Sequence, residues 1–161
     1  MLYQVFDDLT ISRTYLVRSK AEKDFSLLPA HGFDDLDTLR QMRSVATDPY
    51  SKGRNFVNHY AIPELNVVPV SPTIETQYST VIGTGIAQAR AKTAAVSIVN
   101  GGDAGTAEGD FHSCLVWANR PALPLPILII VVNNGYGIST EMRAQHGEKQ
   151  ISDWAKVFPD M

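Results

Sequence analysis

Apolar residues recur along this chain at three different spacings, and each change of spacing marks an element. Between residues 34 and 45, Leu36, Leu39, Met42 and Val45 return every third position, which predicts a helix. Ser71-Pro72-Thr73 reads as a helix start, because Pro costs little in a first turn. Val81, Ile82, Gly85, Ile86 and Ala89 then share one helical face, with Gly83 and Gly85 allowing close approach of another backbone. Ala94 to Val99 is a short apolar strand that stops at Asn100-Gly101-Gly102-Asp103. Phe111, Cys114, Leu115 and Ala118 fall at i, i+3, i+4 and i+7, an amphipathic helix beginning near Ala107. After a proline-rich connection from Pro121 to Pro126, Ile127 to Val132 is apolar at every position, the pattern of a central strand covered on both faces. That strand ends at Asn133-Asn134-Gly135. Strand, turn, helix and strand make a βαβ unit with parallel strands.

The first part of the chain is less patterned. Residues 1–55 read as a helical and loop segment that closes with the turn-rich Asp48-Pro49-Tyr50-Ser51-Lys52-Gly53-Arg54. Residues 56–161 read as an α/β domain. Bulk composition narrows the setting: 161 residues suffice for one domain with a real core. Seventeen acidic against fourteen basic residues give a net charge of −3, which offers no field for nucleic acid or an anionic membrane. The longest apolar run has six residues, far short of the roughly 20 that span a bilayer. One cysteine, Cys114, excludes an internal disulfide and suits a reducing compartment. The expected location is the cytoplasm, or an organelle matrix in a eukaryote.

Ligands of open parallel sheets bind beyond the carboxyl ends of the strands, and here both strands end in polar, glycine-rich turns. Gly101, Gly102, Asp103 and Gly105 would let backbone N–H groups approach an anion, and the following helix adds its positive end. A carboxylate beside phosphate repels it unless a cation lies between. The second turn supplies oxygens for such a cation. Asp103, the Asn134 amide, the Tyr136 carbonyl, two phosphate oxygens and a water complete the octahedron that Mg2+ prefers. Either turn alone is an ordinary structural feature; their coincidence at two strand ends of one unit is the specific signal.

Residues 102–140, GDAGTAEGDFHSCLVWANRPALPLPILIIVVNNGYGIST, resemble the thiamine diphosphate motif, a Gly-Asp-Gly opening followed by Asn-Asn. The tail Asn133 to Thr140 resembles the alpha subunit, or alpha region, of pyruvate and branched-chain 2-oxo acid dehydrogenases. The segments at Asp48 to Arg54, His59-Tyr60, Ser71-Pro72 and Thr76-Gln77 extend that likeness upstream. The resemblance implies a partial thiamine-diphosphate-binding fold, a parallel sheet flanked by helices. It implies Mg2+ on the side chains of Asp103 and Asn134 and on the Tyr136 carbonyl, with thiamine diphosphate against the backbone of Gly102, Ala104 and Gly105. It places Ser71 near the aminopyrimidine ring, Ile74 as the bulky residue that bends the cofactor, and His59 at the substrate pocket. The implied reaction is oxidative decarboxylation of a 2-oxo acid, with acyl transfer to a lipoyl group on an acyltransferase partner. The glutamate that activates the cofactor belongs to a beta subunit or region, within a homo- or hetero-oligomer. The chain reads as a truncated piece, inactive alone. Acetoin dehydrogenase or a transketolase-like enzyme is the alternative among cofactor users. A non-catalytic assembly fragment is the alternative outside them.

Four departures from the pattern are visible. Ala104 replaces the second glycine, and a positive φ there would cost about 1 kcal/mol. Val132 stands where some relatives carry a phosphate-reaching arginine, SPTIETQ is one residue longer than the usual lead-in, and the Pro121 to Pro126 loop lengthens the motif. Blander readings suit the remaining candidates. Glu108 and Asp110 serve a helix N-terminus, His112 packs or meets a partner, and His31 and His146 lie on the surface. Cys114 is a small buried hydrophobe, Trp117 and Trp154 are core or subunit contacts, and Arg18 is a loose candidate for a phosphate contact.

Overall fold

The computed structural model describes residues 14–17, 35–55, 59, 61–63, 66–69 and 71–158. Arg18 and His31 lie outside the described residues. The first helix, α1, runs Asp35–Met42, shorter than the three-residue spacing predicts: Val45 falls beyond its end, and Leu36, Leu39, Met42 and Val45 are all exposed rather than turned to the core. The second, α2, runs Gln77–Ala91. It begins later than Ser71-Pro72-Thr73 suggests, because Glu75 takes a left-handed φ of 63° that no α-helix accommodates. Its buried face carries Tyr78, Val81, Gly85 and Gln88, while Ile82, Ile86 and Ala89 are only half-buried. A left-handed Lys92 (φ 51°) closes it.

The central strand β2 is Val96–Gly102 and the next, β3, is Ile127–Val132. They pair in parallel from Ser97 opposite Ile127 to Gly102 opposite Val132. The strand therefore starts two residues later than the apolar run and continues through Asn100-Gly101-Gly102, since ladder pairing with β3 holds these polar residues extended. An additional strand, β1 (Thr14–Val17), pairs antiparallel with the other edge of β2, giving the order β1-β2-β3. In the described sheet β3 is thus an edge rather than the centre, and its Leu128 and Val132 stay 37% and 47% exposed. A 3-10 turn at Ala104–Ala107 precedes α3, Gly109–Ala118, so the helix starts slightly after Ala107. A small hairpin, β4 (Tyr136–Gly137) and β5 (Thr140–Glu141), follows β3.

The core lies between the sheet and the two helices. Tyr78 and Val81 of α2 meet Val99 of β2 and Phe111, Cys114 and Leu115 of α3, with Ile151 closing one end. The Tyr78 and Phe111 rings meet edge to face at 5.1 Å, which fixes α2 against α3. Gly85 explains how α2 comes so close to the sheet: a Cβ there would lie 2.9 Å from Ile127 Cγ1. Nothing crowds Gly83. No described helix is long and apolar enough to cross a membrane.

Candidate functional site at the tips of two parallel strands

Parallel pairing carries the glycine turns of β2 and β3 to the same edge of the sheet, where they bond to each other. The Asp103 N–H donates to the Val132 carbonyl (3.1 Å), and Asp103 Oδ2 accepts the Gly135 N–H (3.1 Å). The Asp103 carbonyl accepts the Thr106 N–H and hydroxyl (3.1 and 2.7 Å), which starts the 3-10 turn. Asp103 is 1% exposed, yet its Oδ1 has no hydrogen-bond partner. A buried carboxylate oxygen left unpaired is costly unless a cation or donor completes it.

Asn134 is exposed, and its Oδ1 accepts the Tyr136 N–H (2.9 Å). That bond orients the amide and leaves the oxygen a second lone pair. Gly135 bends the turn with φ 79°, and its carbonyl accepts from Met142 (2.8 Å). Tyr136 enters β4 opposite Glu141. The structure therefore brings Asp103 and the Asn134-Gly135-Tyr136 turn together. Among the described residues, no three His, Cys, Asp or Glu side chains gather as a cation site. One carboxylate, one amide and a carbonyl are few for a cation held by protein alone, but they suit a hard ion that shares its shell with phosphate oxygens. The orphaned Asp103 Oδ1 fits such an ion.

Ala104 carries no strain. It sits in the 3-10 turn and is not among the residues with positive φ. The close approach falls instead on Gly137, where a Cβ would come within 2.5 Å of the Ala104 methyl.

Against the glycine-rich turn after β2 lies a residue that the pattern of the sequence did not single out. Glu75 is 6% exposed, and its carboxylate accepts the Gln77 Nε2 amide (2.7 Å). Gln77 Nε2 also donates to the Asn100 carbonyl (3.3 Å), tying the helix start to β2. A Cβ on Gly101 would lie 2.5 Å from Glu75 Oε2, and one on Gly105 would overlap the same carboxyl group. The glycines thus make room for an anion, and the anion they enclose is Glu75. Burial pushes its carboxyl up to about 7 against the pull of the Gly102 N–H, with the Glu108 charge adding to the rise. Beside it the Tyr78 hydroxyl is fully buried without a hydrogen-bond partner, and burial, with Glu75 nearby, drives its ionisation far upward.

The outer candidates are less enclosed. Ser71 is exposed, its hydroxyl accepting the Thr73 N–H (3.2 Å), and Ile74 is 66% exposed. His59 is half-buried, and its carbonyl accepts from Gln41 (3.4 Å). Glu108 makes no side-chain cap, and Asp110 instead accepts from the Ser79 hydroxyl. His146 is not on the surface: its side chain is 3% exposed and its Nδ1 lies 3.0 Å from Glu148, which also accepts the Trp154 indole N–H (2.9 Å). His112 packs edge to face on Trp154 at 4.5 Å. Trp117 is 42% exposed beneath the Arg120 guanidinium, 4.0 Å from its ring centre. Asp48 is another buried acid without a sequence signal beyond its turn. Burial raises its carboxyl, but hydrogen bonds from Ser51, Tyr50 and Gly53 outweigh that and hold it below the usual range.

Residues 26–159 match the protein family described as dehydrogenase E1 component. Among curated proteins, the mitochondrial 2-oxoisovalerate dehydrogenase subunit alpha 2 of Arabidopsis thaliana is 41% identical over 91 residues, 56% of this chain and 19% of that protein. The 2-oxoisovalerate dehydrogenase subunit alpha of Bacillus subtilis is 29% identical over 134 residues, 83% of this chain and 40% of that protein. The pyruvate dehydrogenase E1 component subunit alpha of Staphylococcus aureus is 27% identical over 135 residues, 83% of this chain and 35% of that protein. The chain spans well under half the length of each.

Proposed function

Because this chain belongs to the dehydrogenase E1 component family, we propose that it is the part of a 2-oxo acid dehydrogenase alpha subunit, or alpha region, that grips a magnesium-bound thiamine diphosphate. The observation that carries this reading is the buried, unpartnered Asp103 Oδ1 at a strand tip bonded to the Asn134-Gly135 turn. In this reading Asp103 and Asn134 give Mg2+ one side-chain oxygen each, and Tyr136 gives its carbonyl. Gly102, Ala104 and Gly105 turn backbone toward the diphosphate. Bound there, the cofactor supplies the nucleophilic carbon and the electron sink for decarboxylation.

The roles of the chain's own residues follow from their placement. Asp103 offsets the cation's charge from a position fixed by two backbone bonds, so little reorganisation is needed on binding. Ile74 offers an exposed apolar side chain for the middle of the cofactor, Ser71 a hydroxyl for the ring, and His59 a polar group for the substrate. A beta subunit or region would contribute the activating glutamate, and a lipoyl-bearing acyltransferase would take the acyl group. The setting would be a bacterial cytoplasm or a eukaryotic organelle matrix. The names of the relatives favour a branched-chain 2-oxo acid or pyruvate as substrate.

Calorimetric titration with thiamine diphosphate, with and without Mg2+, tests the reading. Binding is expected to need Mg2+ and to weaken at least about 10- to 100-fold in Asp103→Ala. Equal binding by wild type and Asp103→Ala, or binding indifferent to Mg2+, would count against it.

A further inference from the structure

We propose that Glu75 is a built-in occupant of the anion cradle, so that its carboxylate and an incoming diphosphate exclude one another. The inference rests on reading the cradle as a diphosphate seat, and it adds a gate to that seat. Two contacts place the carboxylate there, beside the Gly102 N–H: the Cβ positions of Gly101 and Gly105 would both collide with it. An anion approaching the same N–H through the same glycine spaces meets a carboxyl group already in place, and a like charge once that group is ionised. Charge and volume both forbid sharing.

The surrounding chain is built for release. Glu75 sits in the cradle with its backbone at φ 63°, a conformation that L side chains rarely take. The residues before it, Ser71 to Ile74, are all exposed; the Ser71 hydroxyl accepts from Thr73, and the Thr73 carbonyl accepts from Thr76, both bonds within the segment. Gln77 is the latch, because its amide bridges Glu75 and the Asn100 carbonyl from the first turn of α2. Outward movement of residues 71–76 would free the cradle without unfolding α2. The same movement would carry Ser71 and Ile74, so the segment that empties the seat also positions side chains around whatever fills it.

The test uses magnesium pyrophosphate as probe on the full chain, reading the Gly102 and Gly105 amide signals by nuclear magnetic resonance in wild type, Glu75→Gln and Glu75→Ala. Glu75→Gln keeps the size of the side chain and guards against a folding defect in Glu75→Ala. If the cradle is open only about a tenth of the time in wild type, removing the plug tightens apparent affinity roughly tenfold. Both variants should gain, Glu75→Ala the more, and the Gly102 signal should shift in the unliganded variants. Affinities equal to or weaker than wild type in both variants overturn the proposal, as does a Gly102 amide that responds to pyrophosphate in none of the three proteins. Magnesium thiamine diphosphate, run in parallel, separates the two ideas. A tenfold gain for pyrophosphate in the variants, with thiamine diphosphate binding to none of the three proteins, supports the plug and removes the cofactor assignment. Tight thiamine diphosphate binding that is equal in all three proteins keeps the assignment and removes the plug.

Discussion

Glu75 places an ionisable group where charge is expensive, and the consequence is measurable. Its native carboxyl titrates at about 7 because burial opposes ionisation, while in the unfolded chain it titrates near the ordinary 4.5. Between those values the native state holds the proton more firmly. Stability is therefore fullest below the unfolded value and falls as pH rises through about 7. Denaturant midpoints compared from pH 4.5 to 8 should show this fall in wild type and its loss in Glu75→Gln. A pH dependence identical in the two proteins would contradict the burial of this carboxyl. Cys114 obeys the same physics: burial pushes its thiol up to about 12, and the thiolate is the reactive form. A thiol reagent at neutral pH should label Cys114 slowly in the folded chain and quickly in denaturant. Equal rates would place the thiol at the surface.

Contact between α2 and β3 decides how the elements hold the strand tips. Gly85 has Ile127 and Leu125 against it, whereas Gly83 faces open space on the same helix. Gly85→Val should therefore destabilise by about 1–3 kcal/mol through overpacking. Gly83→Ala should stabilise by about 0.5–1 kcal/mol through helix propensity alone. Opposite shifts of the thermal midpoint check the pair, and equal shifts would remove the close packing. At this scale the sequence was most readable. Phe111, Cys114 and Leu115 are buried where their spacing predicts, and the two apolar runs pair in parallel, because local periodicity records which face meets a core. The failures have a common physical cause. β1 has no alternating pattern to announce its pairing with β2. The late start of α2 depends on one positive φ, and the exposure of Leu128 and Val132 depends on what neighbours a strand rather than on the strand itself.

Across the whole molecule, polar networks between distant segments were the least visible from sequence. Glu75 and Gln77 reach β2 from the start of α2, and the ring of His146 is buried through Glu148, which binds Trp154 near the end of the chain. Asp103 and the turn that carries Asn134 and Gly135 could be brought together in advance, because a βαβ topology brings its strand ends to one edge whatever their separation in sequence. The histidine, by contrast, depends on a fold that no short motif encodes. The cradle is also the point where fold and family meet. The two glycine-rich strand tips and Glu75 all lie within the residues that match the dehydrogenase E1 component family. The central claim is that those tips clasp one hard divalent ion beside a diphosphate. Substituting Mn2+ for Mg2+ and recording its electron paramagnetic resonance with thiamine diphosphate tests this most directly. The claim predicts one bound Mn2+ coupled to phosphorus, lost in both Asp103→Ala and Asn134→Ala. A phosphorus-coupled ion that persists unchanged in both variants would contradict it.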